Sequence, residues 1–257
     1  MKLKQLIPAV LVASVMLIGS CKKDDTNKTG NNTPLVKSGS PEIPSDADGA
    51  LYCIKNTITY SDFGTPTTEV EGTAMAWFNN YTTSDDAGSV YVNVDSLSRT
   101  ISGTGFMLPW YVGFGGEDSS GTINFSSPSA TWKVGGSSKV NAFTYTDNTP
   151  FPTVTFTAPA TVSTKTALTV NFSIGGAHDG IVCSLSGEND NEVNKAVAKN
   201  ATSVTFTAAE VNSCSPYVGS QLGIQIMPCA ITSTTTNGKK YYFVKQGAFA
   251  QYSEVID

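Results

Sequence analysis

The stretch Ser89-Val90-Tyr91-Val92-Asn93-Val94-Asp95 decides the fold class. Its valines occupy alternate positions, so in an extended chain they share one face while Tyr91 and Asn93 take the other. The same period of two runs through Thr122-Ile123-Asn124-Phe125-Ser126, Thr131-Trp132-Lys133-Val134, Thr153-Val154-Thr155-Phe156-Thr157, Leu168-Thr169-Val170-Asn171-Phe172, Ser203-Val204-Thr205-Phe206 and Leu222-Gly223-Ile224-Gln225-Ile226. One dry face and one wet face imply antiparallel sheets packed on each other. Strand-length runs separated by Gly, Asn, Asp and Pro at short spacing read as β-sandwiches.

Composition agrees. Apolar residues make up 40% of the 257, enough for packed cores, while charged residues are only 14%. The deficit is filled by 32 Thr and 28 Ser. Threonine suits a pleated, half-exposed surface. Arg99 is the single arginine, and the 15 lysines form no basic cluster on a fold element, so nucleic-acid binding is not expected.

Turn chemistry sets the organisation. Asn237-Gly238 lies between two strand-like runs and predicts a tight hairpin. Asp179-Gly180 separates the run ending at Ile174 from the one starting at Ile181. Thr207-Ala208-Ala209-Glu210 is a capping-box pattern and predicts one helical turn crossing between sheets. Two prolines in Asn148-Thr149-Pro150-Phe151-Pro152 interrupt the alternation and mark a domain boundary. The expected architecture is all-β, with two antiparallel β-sandwich domains in tandem after a flexible tether. Residues 46–149 form the first domain and 150–257 the second. Strands of the second are expected near 153–157, 167–174, 181–186, 195–198, 202–207, 221–231 and 240–250. That order resembles an immunoglobulin-like or fibronectin-like sandwich, without the Cys, Trp, Cys arrangement of antibody domains.

The N-terminus reads as an address. Lys2 and Lys4 precede an apolar run from Leu6 to Ile18, too short for a membrane helix of about 20 residues but suited to a secretory signal peptide over residues 1–20. The run ends in Ile18-Gly19-Ser20-Cys21, which resembles the lipobox of bacterial lipoproteins, with Ile in place of the usual Leu. Lys22-Lys23-Asp24-Asp25 then resembles the surface-export signal of Bacteroidota outer-membrane lipoproteins. The resemblance implies acylation of Cys21, attachment to membrane lipid and display on the outer membrane, facing the cell exterior. Cleavage before Cys21 removes Lys2 and Lys4 and leaves 14 basic against 21 acidic residues, a net charge of −7. Residues 21–45, rich in Asn, Thr, Ser and Pro, read as a tether; from Lys22 it reaches at most about 80 Å.

Catalytic chemistry is sparse. The one histidine, His178, sits in the glycine-rich turn Gly175-Gly176-Ala177-His178-Asp179-Gly180 and reads as a solvated turn residue. There is no Gly-x-Ser-x-Gly elbow, no phosphate loop and no Cys-x-x-Cys pair, so no cofactor or metal is expected. Glycoside hydrolysis needs only two carboxylates, but the acids at Asp85-Asp86, Glu117-Asp118 and Glu188 to Glu192 fall in turn-like stretches. The last stretch, Glu188-Asn189-Asp190-Asn191-Glu192, offers alternate oxygens for a weak calcium site without the glycine and final glutamate of a calcium-hand loop.

Three further readings concern sites. Cys53, Cys183, Cys214 and Cys229 allow three pairings, none of which is chosen; free buried thiols are the default, and a Cys183–Cys229 bridge would require a bulge at Pro228. Phe106-Met107-Leu108-Pro109-Trp110-Tyr111-Val112-Gly113-Phe114-Gly115-Gly116 breaks the period of two, and Pro109 cannot donate to a ladder. The stretch reads first as a doubly buried strand packed in the core, and otherwise as an exposed aromatic patch; on the second reading Trp110 and Tyr111 are the candidate ligand-binding residues, with flat faces suited to sugar rings, whereas Trp77 and Trp132 are expected in the core. Asp95-Ser96-Leu97 resembles the O-glycosylation sequon of Bacteroidota exported proteins, with Ser96 in an accessible turn. The expected role is non-enzymatic binding or display, adhesive or structural, with a polysaccharide or another surface protein as partner. The alternatives are a carbohydrate-binding accessory lipoprotein and a secreted glycoside hydrolase.

Overall fold

The computed structural model describes residues 36–37, 40–62, 65–99, 111–114, 123, 125–187, 191–214 and 216–257. Regular structure is almost entirely β, as the alternation predicts. The first strands are β1 (Val36–Lys37), β2 (Ser40–Pro41), β3 (Gly49–Asp62), β4 (Thr65–Phe78), β5 (Val90–Val92) and β6 (Asp95–Arg99). Then follow β7 (Tyr111–Phe114), β8 (Ala130–Val134), β9 (Phe143–Asp147), β10 (Thr153–Phe156), β11 (Thr161–Val162) and β12 (Leu168–Gly175). The chain ends with β13 (Gly180–Ser186), β14 (Glu192–Val197), β15 (Ser203–Phe206), helix α1 (Ala208–Ser213), β16 (Gln221–Thr236) and β17 (Lys239–Val255).

β1 and β2 pair with each other, and β10, β12 and β15 form a three-stranded sheet in that order. The rest build one 12-stranded sheet in the order β14-β13-β16-β17-β3-β4-β7-β6-β5-β8-β9, with β11 beside β17. The predicted local signals stand where expected. Asn237 and Gly238 both have positive φ (52° and 73°) and join β16 to β17. Thr207 caps α1, its Oγ1 accepting from the Glu210 amide while Glu210 Oε2 accepts from the Thr207 amide. The helix carries the chain from the three-stranded sheet to the large one.

Among the described residues, three large apolar cores follow from this topology. In the first, the large sheet curls over so that β9 and β8 face β17, β3 and β4, enclosing Trp132, Phe78, Leu51, Phe143, Tyr241 and Phe243. Phe143 stacks on Tyr241 and Tyr145 on Phe243, with centroids 4.5 and 4.0 Å apart. In the second, the three-stranded sheet packs on β13, β16 and β17 through Phe172, Val204, Phe206, Leu185, Ile224 and Ile226. The third lies on the opposite face of the large sheet and joins Tyr52, Met75, Trp77, Val182, Met227, Tyr242 and Val244.

Three expectations need correction. The boundary at residues 148–152 marks a change of core, since β9 ends at Asp147 and β10 begins at Thr153, but it does not separate two sheets. β17 from Tyr241 to Gln251 pairs in parallel with β3 from Gly49 to Thr59, so both sides of the boundary share one ladder. The cause is length: β16 and β17 have 16 and 17 residues, where about five or six is usual. Their surplus runs past the second core, and Tyr241 and Phe243 enter the first.

The single wet face holds for β8, β12 and β15, which keep alternating burial, but not at the centre. β13, β16 and β17 carry consecutive buried residues, such as Ile226-Met227 and Tyr241-Tyr242-Phe243-Val244, because both faces are covered. The tether, finally, is not free over its whole expected length. β1 lies against β13 and β14, and Ile43 packs on the third core.

Candidate functional site

Of the two readings of the aromatic stretch, the described part follows the buried one. Trp110 lies outside the described residues. Tyr111 opens β7 with its side chain turned inward, 2% exposed, against Phe78 in an edge-on contact at 5.8 Å. Its hydroxyl donates to Asp86 Oδ1 at 2.7 Å and accepts from the Ala87 amide at 2.8 Å. Burial, with the Asp86 hydrogen bond second, pushes its pKa up to about 12. Tyr111 is thus a core residue that ties the 84–88 turn to the sheet, and no ring face remains for a sugar. Strand alternation explains this: Met75 pairs with Val112 and Ala76 with Tyr111, so Tyr111 shares the inward face of Ala76 and Phe78. Trp132 and Trp77 are both buried, as expected.

Cys21, Lys22, Lys23, Asp24 and Asp25 lie outside the described residues. Ser96 is exposed. It stands on β6, just after the Asn93-Val94 turn, paired with Tyr91 of β5; the expected turn placement is therefore one step off. His178 is half-buried, with Nε2 2.7 Å from the Lys199 carbonyl and Nδ1 3.1 Å from that of Gly176. It bridges two turns through main-chain oxygens.

The acids serve mainly to fasten turns. Asp85 pairs with Lys139 at 2.8 Å, and Asp86 accepts from Tyr111 and from the Gly88 amide. The Lys139 hydrogen bond holds Asp85, and the Tyr111 hydrogen bond holds Asp86, below the usual carboxylate range. Residues 188–190 of the proposed calcium loop lie outside the described residues. Glu192 instead points at Ser184, whose Oγ donates to it at 2.5 Å, and burial raises its pKa. Among the described residues, no group of three or more His, Cys, Asp or Glu could hold a metal ion.

The four cysteines are free and buried. Cys183 pairs with Ile226 and Cys229 with Gly180, and their side chains enter the second and third cores on opposite faces. The β16–β17 ladder skips Met227 and Pro228 but keeps one register, with Ile226 opposite Phe249 and Cys229 opposite Gln246. There is no bulge to bring the two thiols to one face.

Two arrangements were not anticipated. Lys245 is 1% exposed in the first core. Its Nζ donates to the carbonyls of Pro128, Asp147 and Thr149 at 2.7, 2.9 and 2.6 Å, with the Asp147 carboxylate 3.9 Å away. The available signal was a lysine at a core position of an apolar strand, the same parity as Tyr241 and Phe243. The second is the third-core face, where Trp77, Tyr52 and Tyr242 stand beside the buried carboxamides Asn56 and Gln246. At its Tyr242 end, Asp46 accepts from Lys240 Nζ (2.7 Å) and from the Tyr242 hydroxyl (2.8 Å). Asp48 accepts from Lys239 Nζ and the Lys240 amide, both at 2.8 Å. No helix among the described residues is long and apolar enough to cross a membrane. No family model and no curated protein matches the chain.

Proposed function

We propose that the chain is a lipid-anchored outer-membrane protein, facing the cell exterior, with a non-enzymatic role in binding or display. The observation that carries this reading is the order of segments at its start. A basic pair, a short apolar run, a small-residue box ending in Cys21 and the Lys22-Lys23-Asp24-Asp25 run precede an all-β body. Acylation supplies attachment at about 0.8 kcal/mol per buried methylene, and stable anchoring takes more than one chain. The net charge of −7 after cleavage keeps the body off anionic headgroups.

Residues 150–257 are read as an immunoglobulin-like module. This is supported by three strands, β10-β12-β15, packing on β14-β13-β16-β17. Such modules serve as rigid spacers. The carbohydrate-binding alternative now depends on Trp110 alone, since Tyr111 is turned inward.

The test is fractionation and surface proteolysis. Cys21→Ala releases soluble protein; retention in the membrane fraction through residues 6–18 overturns the lipoprotein reading. Replacing Lys23, Asp24 and Asp25 by Ala leaves the lipid in place and lowers protease accessibility on intact cells. Unchanged accessibility removes those residues as an export signal.

A further inference from the structure

The large sheet ends in β14 and β9, and the three-stranded sheet in β10 and β15. An edge strand offers a row of unpaired N–H and C=O groups, and native proteins close such rows. Three of these ends are met from within the chain. On β10, the Gln251 carboxamide donates to the Phe156 carbonyl at 3.0 Å and accepts from the Ala158 amide at 2.8 Å, as a neighbouring strand would. On β15, Lys195 Nζ donates to the Thr205 carbonyl at 2.7 Å. β1 lies against β14.

β9 is different. The Asn93 amide donates to the Thr131 carbonyl and the Gly135 amide to that of Ser89, so Thr131, Lys133 and Gly135 turn their main-chain groups toward β5. Ala130, Trp132 and Val134 therefore face β9, and their partners Asp147, Tyr145 and Phe143 face back. That leaves the N–H and C=O groups of Thr144 and Thr146 pointing away from the sheet. Both residues are exposed, and no main-chain hydrogen bond from outside the ladder reaches them among the described residues. β9 has no lysine, proline or bulge to protect the row.

We propose that β9 is a site of strand addition for a second copy of this chain, the two β9 strands pairing antiparallel about a two-fold axis at Tyr145. The edge selects an extended backbone, since only that presents N–H and C=O groups at matching intervals. Centring on Tyr145, the middle residue of β9, overlaps the two strands completely and sets Thr144 of one copy opposite Thr146 of the other. The exposed side chains of the strand are uncharged, so the contact meets no like-charge penalty. Tyr145 stacks on Phe243 at 4.0 Å but is only partly buried. On the axis its ring meets its own copy, an aromatic pair across neighbouring strands. This goes beyond the proposed anchoring and does not depend on it.

The test uses the full chain carrying Cys21→Ala, whose other cysteines are buried. Light scattering of this parent shows the mass rising toward twice the monomer with concentration. Thr146→Pro removes an outward amide and spares the β8 ladder; Thr144→Lys/Thr146→Lys sets like charges across the axis. Each associates at least about tenfold more weakly than the parent and keeps its cooperative melt. Disulfide trapping under mild oxidation reads the register. Residues 144 and 146 of opposite copies have Cα atoms about 5.5 Å apart, within disulfide reach. The two copies of residue 144, or of residue 146, are about 9 Å apart, beyond the limit of about 7 Å. A mixture of Thr144→Cys and Thr146→Cys chains forms the covalent dimer, and neither chain does so alone. A parent that stays monomeric up to about 1 mM overturns the inference and leaves the edge to a strand of a different protein. Unweakened association in both folded edge variants overturns it as well, as does trapping equally strong in the single chains and the mixture. The trapping result stands even if the proline or lysine variant fails to fold.

Discussion

Lys245 and Asp147 face each other across the first core at 3.9 Å, one step beyond the Tyr145–Phe243 stack. Phe143 over Tyr241, Tyr145 over Phe243 and Asp147 over Lys245 continue one residue-by-residue facing of β9 and β17. The polar pair ends that ladder, and its ammonium collects the carbonyls of the 128 and 149 loops. Burial pulls the Lys245 pKa down, and the Asp147 carboxylate pushes it back.

Lys245→Met leaves three carbonyls without their donor and a buried carboxylate without its countercharge. The expected loss is about 3–5 kcal/mol, as for other buried pairs broken on one side. Adding Asp147→Leu recovers part of it by removing the stranded charge. Denaturant unfolding of the two variants checks this; a loss under about 1 kcal/mol for Lys245→Met would show that the ammonium does not hold the loops.

Tyr111→Phe removes a hydroxyl that serves both Asp86 and the Ala87 amide. It is expected to cost about 1–3 kcal/mol. Trp132→Ala, at the centre of the same core, costs about 3–5 kcal/mol. Equal melting temperatures for parent and Tyr111→Phe would show that the hydroxyl does not fasten the 84–88 turn.

Glu192 sets a pH dependence of known sign. Burial raises its folded-state pKa above the ordinary 4.5 despite hydrogen bonds from Ser184 and Asn194. The folded chain therefore holds the proton more tightly than the unfolded one, and this site's contribution declines as pH rises from 4.5 through the folded value. Glu192→Gln melts higher than the parent at pH 7, and the gap closes below pH 4.5. Two curves that stay parallel across that range would contradict it.

Fragment behaviour follows from the shared ladder. Residues 46–149 lack β17, so β3 loses its parallel neighbour and Phe143 and Tyr145 lose their stacking partners. That fragment is expected to show no cooperative melt. Residues 150–257 keep the whole second core and fold with reduced stability. A cooperative transition in the first fragment alone would restore two independent domains.

All four body cysteines stay silent toward a thiol reagent in the native Cys21→Ala protein and appear on unfolding. Burial pushes Cys183 and Cys229 up to about 12 and Cys214 to about 11, and raises Cys53 as well. The thiolate is the reactive form. Fast reaction of any one of them in native buffer would show an opening at its core.

The sequence made the strands, the Asn237-Gly238 hairpin and the Thr207 cap legible because each depends on neighbours within a few residues. The strand positions of the second core emerged from periodicity for the same reason. The parallel pairing of β3 with β17 joins residues nearly 200 positions apart, such as Gly49 and Tyr241, and no local pattern encodes it. Tyr111 stayed between a core and a ligand-binding reading because its stretch is apolar on both faces, so alternation could not say which side it takes. Lys245 was overlooked because a lysine in a strand ordinarily reads as surface; only the loops above it explain its burial. Asp46 and Asp48 carried no signal of their own until Lys240 and Lys239 were placed beside them.

The parallel β3–β17 ladder also bears on mechanical load. A chain held at its beginning and pulled at its far end draws Gly49 and Val255 in opposite directions along neighbouring strands. The eleven paired positions from Tyr241 to Gln251 are then strained together in shear, rather than peeled open one after another as at the free end of a hairpin. Forced unfolding is governed by the height of the unfolding barrier, and simultaneous rupture places that barrier high. A body joined through the long strands β3 and β17 resists unfolding under drag of this direction.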